Sequence, residues 1–159
     1  MNRLFSSALS CAAASVCLST ALGVAAQQPP PPPKPEEAAI KYRKAAFTLM
    51  AAHFGPIAAM ANGRIPFDAK VVAENAEIAT YMSKLPYTHF IPGSDKGDTR
   101  ADPKIWAEMD RFKAAAARMQ DEMAKLNVAA KGGNLDAIKA AVGETVRSCK
   151  ACHDSYRKE

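Results

Sequence analysis

Past residue 26 the chain has no long stretch that is both uncharged and free of polar residues and breakers, which excludes a polytopic membrane protein. It has no block of Lys or Arg either: 21 basic residues stand against 16 acidic ones, with the two signs interspersed. A dedicated nucleic-acid binder concentrates positive charge on one stretch or face, so a net charge of +5 spread this way excludes that class. Nowhere do apolar and polar residues alternate at the period of a strand, which leaves helices. Aromatic residues are only 7%, yet hydrophobic residues reach 48%, enough for a core in 159 residues, the length of one domain. Cysteine is scarce as well. Of the four, Cys11 and Cys17 fall in the N-terminal segment, leaving Cys149 and Cys152, so no disulfide framework exists beyond that close pair.

Residues 1–26 read as an address. Arg3 is the only charge, Ala, Leu, Ser and Val follow, and Val24-Ala25-Ala26 places small residues at −3 and −1. A basic start, an apolar middle and such a site describe a secretory signal peptide. An uncut anchor is the alternative, since a run of this length could span a bilayer. Neither cysteine has the Leu three residues ahead that a lipoprotein signal carries. Residues 27–35 hold five consecutive prolines, Pro29 to Pro33, and then Pro35, an extended lead-in rather than a ligand for a cytosolic proline-binding domain.

Residues 36–159 carry four helical patterns. The first runs from Glu36 to about Asn62, with Ile40, Phe47, Met50 or Ala51, Phe54 and Ile57 at helical spacing. Asp68 caps a second, Ala69 to about Leu85, with Val71, Val72, Ile78 and Met82 inward; Pro86 ends it. A loop of roughly 17 residues, longer than a usual bundle connection, leads to Asp102-Pro103 and marks a functional loop. The third helix carries Ile105, Trp106, Met109, Phe112, Ala116, Met119, Met123 and Leu126 up to Gly132-Gly133. Asn134 caps the fourth, with Leu135, Ile138, Ala141, Val142 and Val146 inward. The expected fold is all-α, an antiparallel four-helix bundle.

The chemistry lies at the end of the last helix. Cys149-Lys150-Ala151-Cys152-His153 is the Cys-x-x-Cys-His pattern of c-type haem attachment. Residues three apart share a helix face, so both thiols can reach the two vinyl groups on one side of a porphyrin. His153 then offers an imidazole to the iron as the axial metal ligand. A thioredoxin-like pair needs a βαβ setting that this chain lacks. A zinc site needs four ligands, and only distant His53 or His89 could complete it. A plain disulfide leaves His153 unexplained. The motif therefore predicts one covalent haem c.

A haem motif at the C-terminal end of a helical bundle resembles cytochrome c′, the class II c-type cytochromes. The resemblance spans the mature chain. It rests on Lys41-Tyr42-Arg43-Lys44-Ala45-Ala46-Phe47-Thr48-Leu49-Met50-Ala51-Ala52-His53-Phe54-Gly55, on Gly97-Asp98 before Ile105-Trp106, and on Cys149 through Arg157. It implies a homodimer of four-helix bundles with a five-coordinate, largely high-spin haem in the bundle core. Arg43 and Lys44 match a first-helix pair lying against the haem, and Asp98 a loop position near its edge. Arg43 can pair with a propionate through its planar fork. Solvated helix charges for Arg43 and Lys44, and a turn-stabilising role for Asp98, are the alternatives.

By the same resemblance Phe47 stands where the family places an apolar residue over the iron. It has no lone pair and cannot ligate. Low-spin relatives carry a ligating Met near this place, which keeps Met50 open as a sixth ligand. Arg157 matches a basic residue against the proximal pocket; a charge complementing the helix dipole is its alternative. The function implied is a periplasmic haem protein, not an enzyme, that sequesters nitric oxide and also meets carbon monoxide. Electron transfer with a periplasmic redox partner would accompany it. A peroxidase or nitric oxide reductase would want polar distal groups, which Phe47 does not supply. No nucleic acid, and no membrane after signal cleavage, enters this reading.

Overall fold

The computed structural model describes residues 31–159; the expected signal peptide, 1–26, and the start of the proline lead-in lie outside them. Residues 31–34 have no regular structure, and α1 begins at Pro35, one residue earlier than the sequence suggested. Proline suits that place because the first helical residue needs no N–H, and Glu36 and Glu37 complement the positive end of the helix. α1 is Pro35–Ala61 and continues through Pro56; α2 is Ala69–Met82. The Asp68 carboxylate accepts from the amides of Lys70 and Val71 at 2.9 and 3.1 Å, the cap its position promised. α5, Leu135–Tyr156, starts the same way: the Asn134 side chain accepts from the amide of Ala137 at 3.0 Å.

Three expectations need correction. α2 ends at Met82 rather than near Leu85, and Pro86–His89 then form a 3-10 turn inside the supposed loop. The third helix is two pieces, α3 (Lys104–Ala107) and α4 (Met109–Gly132). Glu108, at φ −125° and ψ 39°, closes one and opens the next: its amide bonds Lys104 and its carbonyl accepts from Phe112. Ile78 and Val146, expected inward, are 38% and 46% exposed. On α5 the inward stripe passes through Ile138, Val142, Thr145 and Ser148 instead, with the Thr145 hydroxyl satisfied by the Ala141 carbonyl at 2.9 Å.

The four long helices form a ring in which α1 touches α2 and α5, and α4 touches α2 and α5. Consecutive helices run antiparallel, so the architecture is the expected four-helix bundle. Its interior divides into two clusters. A larger aliphatic one holds Ile57, Val72, Met123, Leu126 and Ile138, all at or near zero exposure. Burying each such side chain contributes about 2 kcal/mol. A smaller one holds Ile105, Phe112 and Tyr156. Among the described residues no helix is long and apolar enough to cross a membrane.

Candidate functional site

The stripe that buries α5 also turns its two cysteines inward. Cys149 packs against the aliphatic cluster and Cys152, one turn on, against the aromatic one; both are half-buried and free. Burial pushes both thiols up, so they are protonated at neutral pH. His153 stands at the surface with its ring partly covered. That desolvation, then Arg157 and Arg100, push its imidazole below the usual range against the opposing pull of Asp154. A neutral imidazole keeps a lone pair for a metal. His153 lines an opening of about 430 Å³ with Arg100, Asp154, Arg157, Lys158 and Glu159.

An aromatic wall spans the seam between the clusters. Phe47 on α1 meets Tyr87 edge-on, with centroids 5.9 Å apart and planes at 90°. Tyr87 also contacts Phe112 at 5.8 Å and Phe90 at 6.3 Å, and Phe112 meets Tyr156 edge-on at 5.4 Å. Phe47 itself is half-buried.

Arg43 is not a solvated helix charge: it is 2% exposed. One terminal nitrogen donates to the Ser94 hydroxyl at 2.7 Å and the His89 carbonyl at 3.2 Å. The other donates to the Ser94 carbonyl at 2.6 Å and the Thr99 hydroxyl at 2.7 Å. Its guanidinium lies 4.5 Å from the Phe90 ring centroid. Burial lowers its pKa and Asp95 opposes that shift. Lys44 and Asp98, named separately from the sequence, meet each other in an ion pair of 2.6 Å at the surface.

Arg157 is the C-cap residue of α5, its amide donating to the His153 carbonyl one turn back at 3.1 Å. α5 ends at Tyr156, and Arg157 is extended, bridged antiparallel to Ala101. Lys158 donates its amide to the Arg100 carbonyl at 2.9 Å, and Arg100 Nε returns a bond to the Lys158 carbonyl at 3.0 Å. Asp102 donates its amide to the Tyr156 carbonyl at 3.0 Å. The chain end is thus stapled to the long connection. His53 points away from this region, paired with Asn75 of α2 at 2.9 Å. Met50 packs with the aliphatic cluster.

Sequence reasoning missed Tyr87, Phe90, Ser94 and Thr99. The only available signal was two aromatic residues three apart within a loop already marked as functional. What Ser94 and Thr99 would bind was not readable, because their partner lies about 50 residues earlier.

Two thiols on one helix face at an apolar seam, with a neutral imidazole next in sequence, fit the thioether and axial bonds of haem c. Among the described residues no three His, Cys, Asp or Glu side chains converge as a metal cluster. Bundle and motif together define the class: a four-helix c-type haem protein with its attachment site at the end of the last helix. Residues 38–157 match the family described as Cytochrome C′, and the chain belongs to that family, whose members carry covalently attached haem c. A cytochrome c′ from Rubrivivax gelatinosus is 52% identical over 122 residues, 76% of this chain and 95% of the relative. Its crystal structure superposes with a TM-score of 0.74 over 78% of this chain and 97% of that one. Cytochrome c prime from Shewanella frigidimarina, 46% identical, gives 0.76 over the same shares. A nitric oxide complex of a leucine-to-alanine variant of the Alcaligenes xylosoxidans protein, 44% identical, gives 0.73 over 78% and 96%.

Proposed function

We propose that the chain is an exported, periplasmic monohaem protein that binds nitric oxide at a five-coordinate haem and sequesters it, with electron transfer as an accompanying role. Cys149 and Cys152 form the thioethers and His153 is the axial ligand. Arg43, Lys44 and Asp98 lie toward the haem edge, and Arg157 toward the proximal face. The haem supplies the gas-binding iron; the chain supplies the pocket around it. The observation that carries this reading is Phe47, fixed edge-on against Tyr87 on the wall shared with the thiol pair. It has no lone pair, so it leaves a coordination position to a small ligand. The nitric oxide complex of the Alcaligenes protein supports that ligand. Gas binding is favoured over peroxidatic chemistry because His53, the histidine of α1, is held by Asn75 on α2.

A second copy of the chain is proposed as partner. α1 leaves Tyr42 and Leu49, seven residues apart on one stripe, exposed, and α2 leaves Ile78 and Tyr81 exposed.

Protein purified after native export tests the proposal in one preparation. Its intact mass should lack residues 1–26 and include one haem that survives denaturation. Ferric and ferrous optical spectra should be those of five-coordinate high-spin haem, and nitric oxide should change them stoichiometrically. A low-spin six-coordinate spectrum in both states overturns this reading in favour of Met50 as sixth ligand.

A further inference from the structure

Phe47, Phe90 and Phe112 give the wall around the thiol pair hydrocarbon alone; Tyr87 adds an oxygen. Its 3-10 turn is set by Pro86, which is fully buried, and its ring packs against both hydrophobic clusters at once. For packing alone a phenylalanine would serve, as Phe90 and Phe112 do beside it. The hydroxyl forms no hydrogen bond with any described residue. Burial, and then the neighbouring Cys152 and Cys149, push the phenol well above its ordinary value, so it remains a protonated donor at physiological pH.

We propose that the Tyr87 hydroxyl donates a hydrogen bond to the diatomic ligand held at the haem and so biases which gas the site retains. The inference rests on the reading that Cys149, Cys152 and His153 hold haem c with Phe47 over the open side. Two features direct the donor there. The edge-on contact puts Tyr87 beside Phe47, on the α1 side of the site and away from the opening that His153 lines. It packs against both clusters, with Cys149 in one and Cys152 in the other, which would place it toward the thioether edge of a bound haem rather than toward the propionates.

A donor at this place changes the selectivity expected from Phe47 alone. Negative charge on the outer atom of a bound diatomic is stabilised by a hydrogen bond, and carbon monoxide, the least polarised, gains least. Tyr87 thereby offsets part of the crowding by Phe47 for the more polarised gases. It is a specificity-determining residue.

Vibrational spectra of the ferrous nitric oxide complex test this, with wild-type holoprotein and Tyr87→Phe compared in light and heavy water. The variant keeps the ring and its contacts. The expected result is an N–O stretch that rises in Tyr87→Phe, a deuterium shift in the wild type that the variant lacks, and nitric oxide release about tenfold faster in the variant. Identical stretches with no deuterium shift in either protein overturn the Tyr87 assignment while leaving gas binding intact. If nitric oxide leaves the wild-type spectrum unchanged, gas binding itself falls and the assignment with it.

Discussion

Phe47 shows how one side chain can take two roles that only kinetics separates. Its ring is half-buried and rests on Tyr87, as a core residue would, and through Tyr87 it joins the aromatic wall that packs, like Cys149 and Cys152, against the two clusters. A ring over the iron, as proposed for Phe47, would crowd the upright geometry of bound carbon monoxide, which would have to displace it. Phe47→Ala should therefore strengthen carbon monoxide binding by ~1–3 kcal/mol through relief of overpacking, with a smaller effect on nitric oxide association. Flash photolysis of both proteins reads these rates, and unchanged carbon monoxide kinetics would make Phe47 a packing residue only. Lys44 and Asp98 set a useful contrast. Their side chains are 50% and 95% exposed, and a pair so solvated contributes about 0–1 kcal/mol.

At the scale of elements, the long connection between α2 and α4 is an organised piece of the site. Gly93 and Gly97, at φ 82° and 91°, take the left-handed backbone that brings the chain down onto α1. A Cβ on Gly93 would press on Glu36 at 3.4 Å, and one on Gly97 would meet Ile40 at 3.7 Å. Arg43 then clamps the segment through Ser94, Thr99 and the His89 carbonyl, and the Trp106 indole donates to the Ile91 carbonyl at 2.9 Å. Arg43→Lys keeps the charge but loses the fork, and should cost about 2–4 kcal/mol. Amide exchange across 93–99 should accelerate with it. Unchanged exchange would mean that the glycine turns and aromatic packing seat the loop without the arginine. Composition and length revealed that this connection was unusual, but its 3-10 turn and the break at Glu108 were hidden. At the break lies a contact distant in sequence, the Tyr156 hydroxyl donating to the Glu108 carboxylate at 3.4 Å, which no local periodicity encodes.

For the whole molecule, the proposed pairing of two bundles rests on the exposed Leu49 and Ile78. Leu49→Glu should convert a dimer to monomer at micromolar concentration, read by sedimentation, with the monomer's helicity and haem spectrum retained. A wild type that sediments as monomer at that concentration would refute the pairing. Four helices, two of their caps and the haem motif were legible in the sequence, because each depends on spacing within one turn or two: Asp68 and Asn134 at helix starts, and Cys149 to His153 on a single face. Inward Val146 was misread because a bundle helix buries a narrow stripe, and Thr145 occupies it by bonding its own backbone. The fates of Arg43, Tyr87 and Arg157 were out of reach of any window. Arg43 is buried because acceptors some 50 residues away close around it, Tyr87 joins two clusters contributed by several helices, and Arg157 is held by a bridge to Ala101. Local spacing determined which cofactor the chain can carry; long-range packing decided what surrounds it, since hydrogen bonds and ring contacts between distant segments exist only once the bundle has closed.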